Sequence, residues 1–304
     1  MQSDTDTPTR PHADTRSSAA EPLTIYRANM RHDLSFIQTL VLMGRNVWGA
    51  RELIRQLMWR DLTAQYKKSY IGALWILAGP IMAVVPWLFA AKVNVYNPGD
   101  ITIPLAVYLV VGRSCWSVFN GFYTGGATTL GQGTALVMQV NYPHEALFIK
   151  QILAGLVNFS LSFVTTIVVM LVSGVYPGWG SLLFPLTLLP LFFLGAAMGL
   201  LVAMIRIVAY DLDRIITIIM SLLMWTTPLL YSDTNPPSQI LRTINEYNPL
   251  TYLVCSCREV LIHGRLYNDA VGVYFACAGV AFLFFVISLR LFYVSEHKLV
   301  ERML

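Results

Sequence analysis

The feature that leaves this chain least freedom is a set of long apolar runs, each near the twenty or so residues that carry a helix through the hydrocarbon core of a bilayer. Six runs qualify, within a few residues at each end: Tyr70 to Ala91, Ile103 to Tyr123, Leu147 to Gly174, Ser181 to Ile205, Arg214 to Tyr231 and Val271 to Phe292. That core offers no water to bond exposed peptide groups, so each run is expected as a closed helix. Only 12% of the 304 residues are charged, about half the share of a usual soluble domain. The expected fold is an all-α integral membrane protein with six transmembrane helices.

An even number of spans puts both termini on one face. Ten of the 21 Lys and Arg lie at or before Lys68, and Lys150, Arg206, Arg214, Arg290, Lys298 and Arg302 fall on that same face. The opposite face holds Lys92, Arg242, Arg258 and Arg265, so the positive-inside rule makes both termini cytoplasmic. The net charge of +4 therefore reports topology and gives little reason to expect nucleic acid. Residues 1–34 are polar, rich in Ser, Thr, Pro and Asp, and lack the apolar core of a signal peptide; they read as a disordered cytoplasmic tail. Cys115, Cys255, Cys257 and Cys277 make neither a disulfide framework nor a metal motif, and the close pair reads as small apolar packing.

Within the region 35–69, Leu53, Ile54, Leu57, Met58 and Leu62 recur at helical spacing while Arg51, Glu52, Arg55, Arg60 and Asp61 lie mostly elsewhere on the wheel. This predicts an amphipathic helix, too charged to span, lying in the cytoplasmic interface; the bland alternative is a soluble helix packed on a partner. The preceding SFIQTLVLM is too short to cross. From residue 70 to 304 the chain forms the six-span domain, with NVYNPGD and YPGWG as short outer turns and RIVAYDLDR as an inner one. Asn141 and Pro143 suit the start of a short cytoplasmic helix near 139–146. Residues 232–269 are external and divided by Pro236, Pro237, Asn248 and Pro249. Their second piece, PLTYLVCSCREVLI, is apolar but too short to span, which predicts a re-entrant helical hairpin between spans five and six.

Missing chemistry narrows the function. There is no GxxxxGK[ST] loop, so ATP-driven work would need a partner. The histidines are scattered, and no metal site or catalytic constellation is expected. Spans one, three, four and six carry no ionisable group in their central portions, which disfavours an ion-coupled carrier. Arg113, midway along span two, is the exception: it either snorkels to the outer interface or lines a hydrated path toward an anionic or hydroxyl-rich substrate. Trp116, Phe119 and Tyr123 share one helical face, either core packing or a slide for sugar rings. Trp75, Trp225 and Tyr231 are further aromatic candidates for the path, although aromatics near span ends are commonly interfacial anchors. Gly121 with Gly125, and Gly195 with Gly199, give two GxxxG patterns suited to close helix packing.

Several segments, taken in order, resemble the membrane subunit of the polysaccharide ABC exporters, the Wzm and teichoic-acid permease family. They are WRDLTAQYKKSYIGALWILAGPI, NYPHEALFIK, AYDLDRI, MWTTPLLYSDTNPP and EYNPLTYLV, and the similarity runs from about Ala50 to the C-terminus. The family often has a Pro where this chain reads GRSCW. The resemblance implies the type-2 ABC exporter fold and a homodimer joined to two copies of a separate ABC ATPase. That partner would bind ATP and Mg, leaving this chain without cofactor or catalytic residue. The implied substrate is a lipid-linked glycan, of O-antigen, capsule or teichoic-acid type, exported across the bacterial cytoplasmic (inner) membrane. Asn141, Tyr142, Pro143, His144 and Glu145 would form the helix that couples to the ATPase. Arg60, Tyr66, Lys67 and Lys68 would stand at the entrance for the lipid head group, whose pyrophosphate suits guanidinium and ammonium groups; plain positive-inside anchoring is the other reading. The rival functions are a permease for a small molecule or lipid and a membrane-embedded transferase.

Overall fold

The computed structural model describes residues 35–66, 74–137, 144–234, 236, 238–267 and 270–301. The N-terminal tail, Lys67, Lys68 and residues 141–143 lie outside these, as do the side chains of Tyr66 and His144. Every regular element among the described residues is helical: α1 Phe36–Gly49, α2 Arg51–Tyr66, α3 Leu74–Lys92, α4 Leu105–Val137, α5 His144–Val172, α6 Phe184–Thr187, α7 Leu189–Val208, α8 Tyr210–Thr226, α9 Gln239–Tyr247, α10 Pro249–His263 and α11 Val271–Glu301. A short 3-10 turn, Trp179–Leu183, leads into α6.

Among the described residues, four segments are long and apolar enough to cross a membrane: Leu105–Gly131, Glu145–Val172, Trp179–Ile207 and Val271–Ser295. They correspond to expected spans two, three, four and six. The first expected span is α3, whose apolar part, Leu77–Lys92, is shorter and contains Pro80 and Pro86. A proline removes a ladder hydrogen bond and crowds the carbonyl four residues back. Next to the carbonyl of Ile76 that Pro80 leaves without its ladder donor, Thr165 Oγ1 from α5 donates to Leu77 O at 3.0 Å, a bond that ties the two helices together.

The fifth expected span is α8, and it stops at Thr226 rather than Tyr231. Pro228 explains the early end, since the residue before a proline is pushed out of the helical region; Thr227 is extended, with φ −86° and ψ 138°. The chain then runs irregularly but buried: Thr227, Leu229, Tyr231 and Ser232 are all below 9% exposed. It next forms α9, capped by Ser238, and α10, capped by Asn248 with Pro249 in its first turn.

The core is the contact of α4 with α7, flanked by α5 on one side and α11 on the other. Small residues set its closeness. A Cβ at Gly195 would lie 2.3 Å from Phe119 O, and one at Gly199 would lie 2.4 Å from Tyr123 O, so backbone meets backbone there. One of the two GxxxG patterns is thus a seam inside the protomer; around Gly121 there is nothing within 4 Å. Helix α10 is buried on α4, α7, α11 and the 3-10 turn, and α3 lies across α4 and α5. Helix α2 packs on the start of α5.

Candidate functional site

At one end of the bundle the amphipathic α2 spends its apolar face on protein. Ile54 and Leu57 join Ala146 and Leu147 in a small core, with Val47, Leu53 and Ile149 packed around it. Beside this core Lys150 Nζ reaches Asp61 Oδ2 at 2.7 Å, and the lysine is only 4% exposed. Arg60, largely exposed, bonds the other oxygen of Asp61 at 2.9 Å. Burial alone would raise the Asp61 pKa, but the hydrogen bonds and charges of Lys150 and Arg60 together hold it below its ordinary 3.8. A carboxylate depressed on folding adds stability that is complete above its unfolded value and lost as pH falls through the folded one. Asp61→Asn is therefore expected to lower the unfolding temperature by an amount that stays constant from about pH 8 down to about pH 5 and shrinks below about pH 4; scanning both proteins in detergent across that range checks it. Glu145, 1% exposed, closes the same end, so one residue of the expected coupling segment sits next to the α2 platform.

Between α4 and α5 runs a groove of about 560 Å³. From α4, Ser117, Asn120, Thr124 and Thr128 face it at intervals of three or four residues, and from α5 Asn158 and Ser162 do the same. All are polar and none is charged. Ser117 and Thr128 give their hydroxyl protons to α4 carbonyls, Ser114 O at 2.7 Å and Thr124 O at 2.9 Å, which leaves hydroxyl lone pairs toward the groove. Polar side chains on membrane helices turn toward protein or water rather than lipid, so the groove offers a row of hydrogen-bonding groups inside the span region.

The aromatic candidates divide. Trp116, Phe119 and Tyr123 are 5%, 0% and 7% exposed and sit in the α4–α7 core, Trp116 tilted on Phe119 at 5.1 Å. Tyr231 is buried too; its hydroxyl donates to Thr226 O at 2.8 Å and lies 3.0 Å from the side-chain amide of Asn245. Trp75 and Trp225 are about half exposed, and Trp225 meets Trp87 edge-on at 5.4 Å. Arg113 is half-buried and points Nη1 at Met224 Sδ, 3.0 Å away on α8. The structure thus buries Trp116, Phe119, Tyr123 and Tyr231 and leaves Trp75 and Trp225 half exposed.

One buried cation escaped the sequence reading, which counted Arg258 with the external charges. It is 3% exposed, on the apolar helical piece that the sequence predicts for the hairpin. Its Nη2 donates to Pro228 O, its guanidinium carbon lies 3.7 Å from the Tyr108 ring centroid, and Nη1 stands 3.9 Å from Asp233 Oδ1. Tyr108 in turn donates to Tyr231 O at 2.7 Å. The irregular run after α8 therefore has two of its freed carbonyls bonded by side chains of α10 and α4. Gly112 makes room for this: a Cβ there would fall 2.9 Å from Arg258 Nη2. The sequence signal was an arginine within a stretch too apolar and too helical for a solvated loop.

Among known proteins, the family model described as ABC-2 type transporter matches residues 52–262. The chain is 26% identical over 230 residues to the O-antigen export system permease protein RfbA of Myxococcus xanthus, covering 75% of this chain and 86% of that one. To a protein of the same name from Klebsiella pneumoniae it is 22% identical over 248 residues, covering 80% and 91%. The matched region takes in the α2 platform, the α4–α5 groove, the α4–α7 seam and the buried Arg258, and the chain belongs to the ABC-2 type transporter family.

Proposed function

We propose that this chain is the transmembrane subunit of an ATP-driven exporter that carries a lipid-linked polysaccharide out of the cytoplasm across the bacterial inner membrane. The observation that carries the reading is the uncharged polar groove between α4 and α5, a surface suited to hydroxyls in a region otherwise built for lipid, in a chain whose relatives are named O-antigen export permeases. In this reading α3 and α8 join the four longer helices to make six spans, α9 and α10 form the re-entrant hairpin, and both termini are cytoplasmic. Two copies of the chain pair with two copies of an ABC ATPase, which binds ATP and Mg and performs the hydrolysis. The segment 139–146 couples to that ATPase, and the α2 platform behind Glu145 receives the push, because the Asp61–Lys150 pair ties the two together. Arg60, Tyr66, Lys67 and Lys68 admit the lipid head group. Arg113, Trp75 and Trp225 border the path, with Trp116, Phe119, Tyr123 and Tyr231 shaping it from behind.

Deleting the gene tests this. Lipid-linked glycan is expected to accumulate inside the cell while surface glycan is lost. Normal surface glycan together with new sensitivity to a drug would point instead to a permease for a small molecule.

A further inference from the structure

Helix α5 starts against α2 at Leu147 and, at about 1.5 Å per residue, carries Ile167 about 30 Å away from it, the thickness of the hydrocarbon core. At that level a cleft of about 560 Å³ opens between the end of α5, the 3-10 turn and the end of α10. Phe163, Ile167, Pro177, Leu182, Phe184 and Leu261 form its walls. The volume falls within the range of small-molecule sites, about 300–1,000 Å³.

The walls are tied to one another. Phe163 of α5 stacks on Phe184 with ring centroids 5.0 Å apart, and Ser181 Oγ donates to Leu261 O at 2.8 Å. The 3-10 turn and the end of α10 meet backbone to backbone: a Cβ on Gly180 would lie 2.7 Å from the carbonyl carbon of Gly264, the residue that closes α10 in the left-handed region at φ 68°. The cleft is therefore built into the fold. Its rim is of another character. Tyr176 and Trp179 are exposed, and rings of this amphipathic kind gather at head-group level. Leu182 and Leu183 are exposed beside them. The Gly180–Gly264 contact sets His263 and Arg265, both exposed, at the same rim, and neither makes an ion pair among the described residues. An apolar slot below interfacial aromatics, with a guanidinium at its mouth, matches an amphiphile of acyl chain and anionic head. A second copy docked through this face by a two-fold contact would set cation rim against cation rim, whereas an anion meets it with complementary charge.

We propose that this cleft binds an anionic phospholipid from the leaflet away from α2. One acyl chain lies along Phe163, Ile167 and Leu182, the phosphate bonds the Arg265 guanidinium, and His263 adds an N–H donor. A lipid held in this way ties the end of α5 and the 3-10 turn to α10, whatever the transporter carries.

The test is native mass spectrometry of the full chain in mild detergent, titrated with phosphatidylglycerol and with phosphatidylcholine of the same acyl chains. The unaltered protein is expected to take up phosphatidylglycerol at about tenfold lower concentration, the scale of one hydrogen bond between charged groups. Arg265→Gln is expected to bring the two lipids level, while Arg242→Gln, a control cation on α9, keeps the preference. Ile167→Trp fills the slot and Leu182→Trp blocks its lip, and each is expected to lose both lipids; unfolding temperatures measured without added lipid report which variants are folded, and the exposed Leu182 site tolerates the change where Ile167 does not. Equal uptake of the two lipids by the unaltered protein, a preference kept in Arg265→Gln, or uptake undiminished in a folded tryptophan variant overturns the site. Capture of a second chain in place of lipid, abolished by Leu182→Trp, also overturns it and assigns the cleft to an interface between copies.

Discussion

Arg258→Met is expected to remove most of the folded protein from the membrane fraction. Arg258 is 3% exposed and Asp233 17%, and the carbonyl of Pro228 has the guanidinium as its donor. Methionine preserves the apolar stem but leaves a carboxylate without its cation and a carbonyl without its donor. Leaving a buried acceptor without its donor costs about 1–3 kcal/mol, more where the donor is charged, a large fraction of the 5–15 kcal/mol that holds a typical domain. Lysine should rescue little, because its ammonium neither lies flat on the Tyr108 ring nor forks between two acceptors. The measurement is the yield of monodisperse protein after detergent extraction and its unfolding temperature. Near-normal values for the methionine variant would mean that the run after α8 is held by something other than α10.

The second large effect is expected at the α4–α7 seam. Gly195→Ala places a methyl group 2.3 Å from Phe119 O, a backbone atom that cannot rotate away, so the two helices must separate along the seam. Overpacking of this kind costs about 1–3 kcal/mol, occasionally more. Gly121→Ala provides the contrast on α4. Nothing lies within 4 Å of its Cβ, and alanine is the better helix former by about 1 kcal/mol, so stability is expected to hold or rise. Equal losses at both positions would show that Gly121 also packs closely, against a second copy of the chain.

That contrast also marks how far the sequence could be read. Two identical spacings of glycine gave no sign of which one meets another backbone, because spacing fixes a helical face and says nothing of what lies across from it. The amphipathic α2 was legible, since Leu53, Ile54 and Leu57 repeat with the period of a helix, and so was the break at Asn248–Pro249, whose cap chemistry is local. What covers the α2 face was not: Ile54 and Leu57 pack on Ala146 and Leu147, residues nearly a hundred positions away. Lys150 illustrates the same limit for charge. Counting it toward topology captured its end of the bundle and missed that it is buried against Asp61. The α4–α5 groove was overlooked because Ser117, Asn120 and Thr124 lie inside an apolar run whose average hid them, and they stand out only when the run is sorted by face. Trp116, Phe119 and Tyr123 were found as a face, with core packing and sugar contact left open, and the structure buries that face in the protomer.

The void at Gly112 has a consequence for how this chain can change. Arg258 occupies the space that any side chain at 112 would need, and it is anchored there by Pro228 O and the Tyr108 ring. Neither position can be altered first without loss: a methyl group at 112 collides with the guanidinium, and a shorter residue at 258 strands the carbonyl. The two sites, far apart along the chain, are one mutational unit, and descendants that replace the pair must cross a less stable intermediate or change both together.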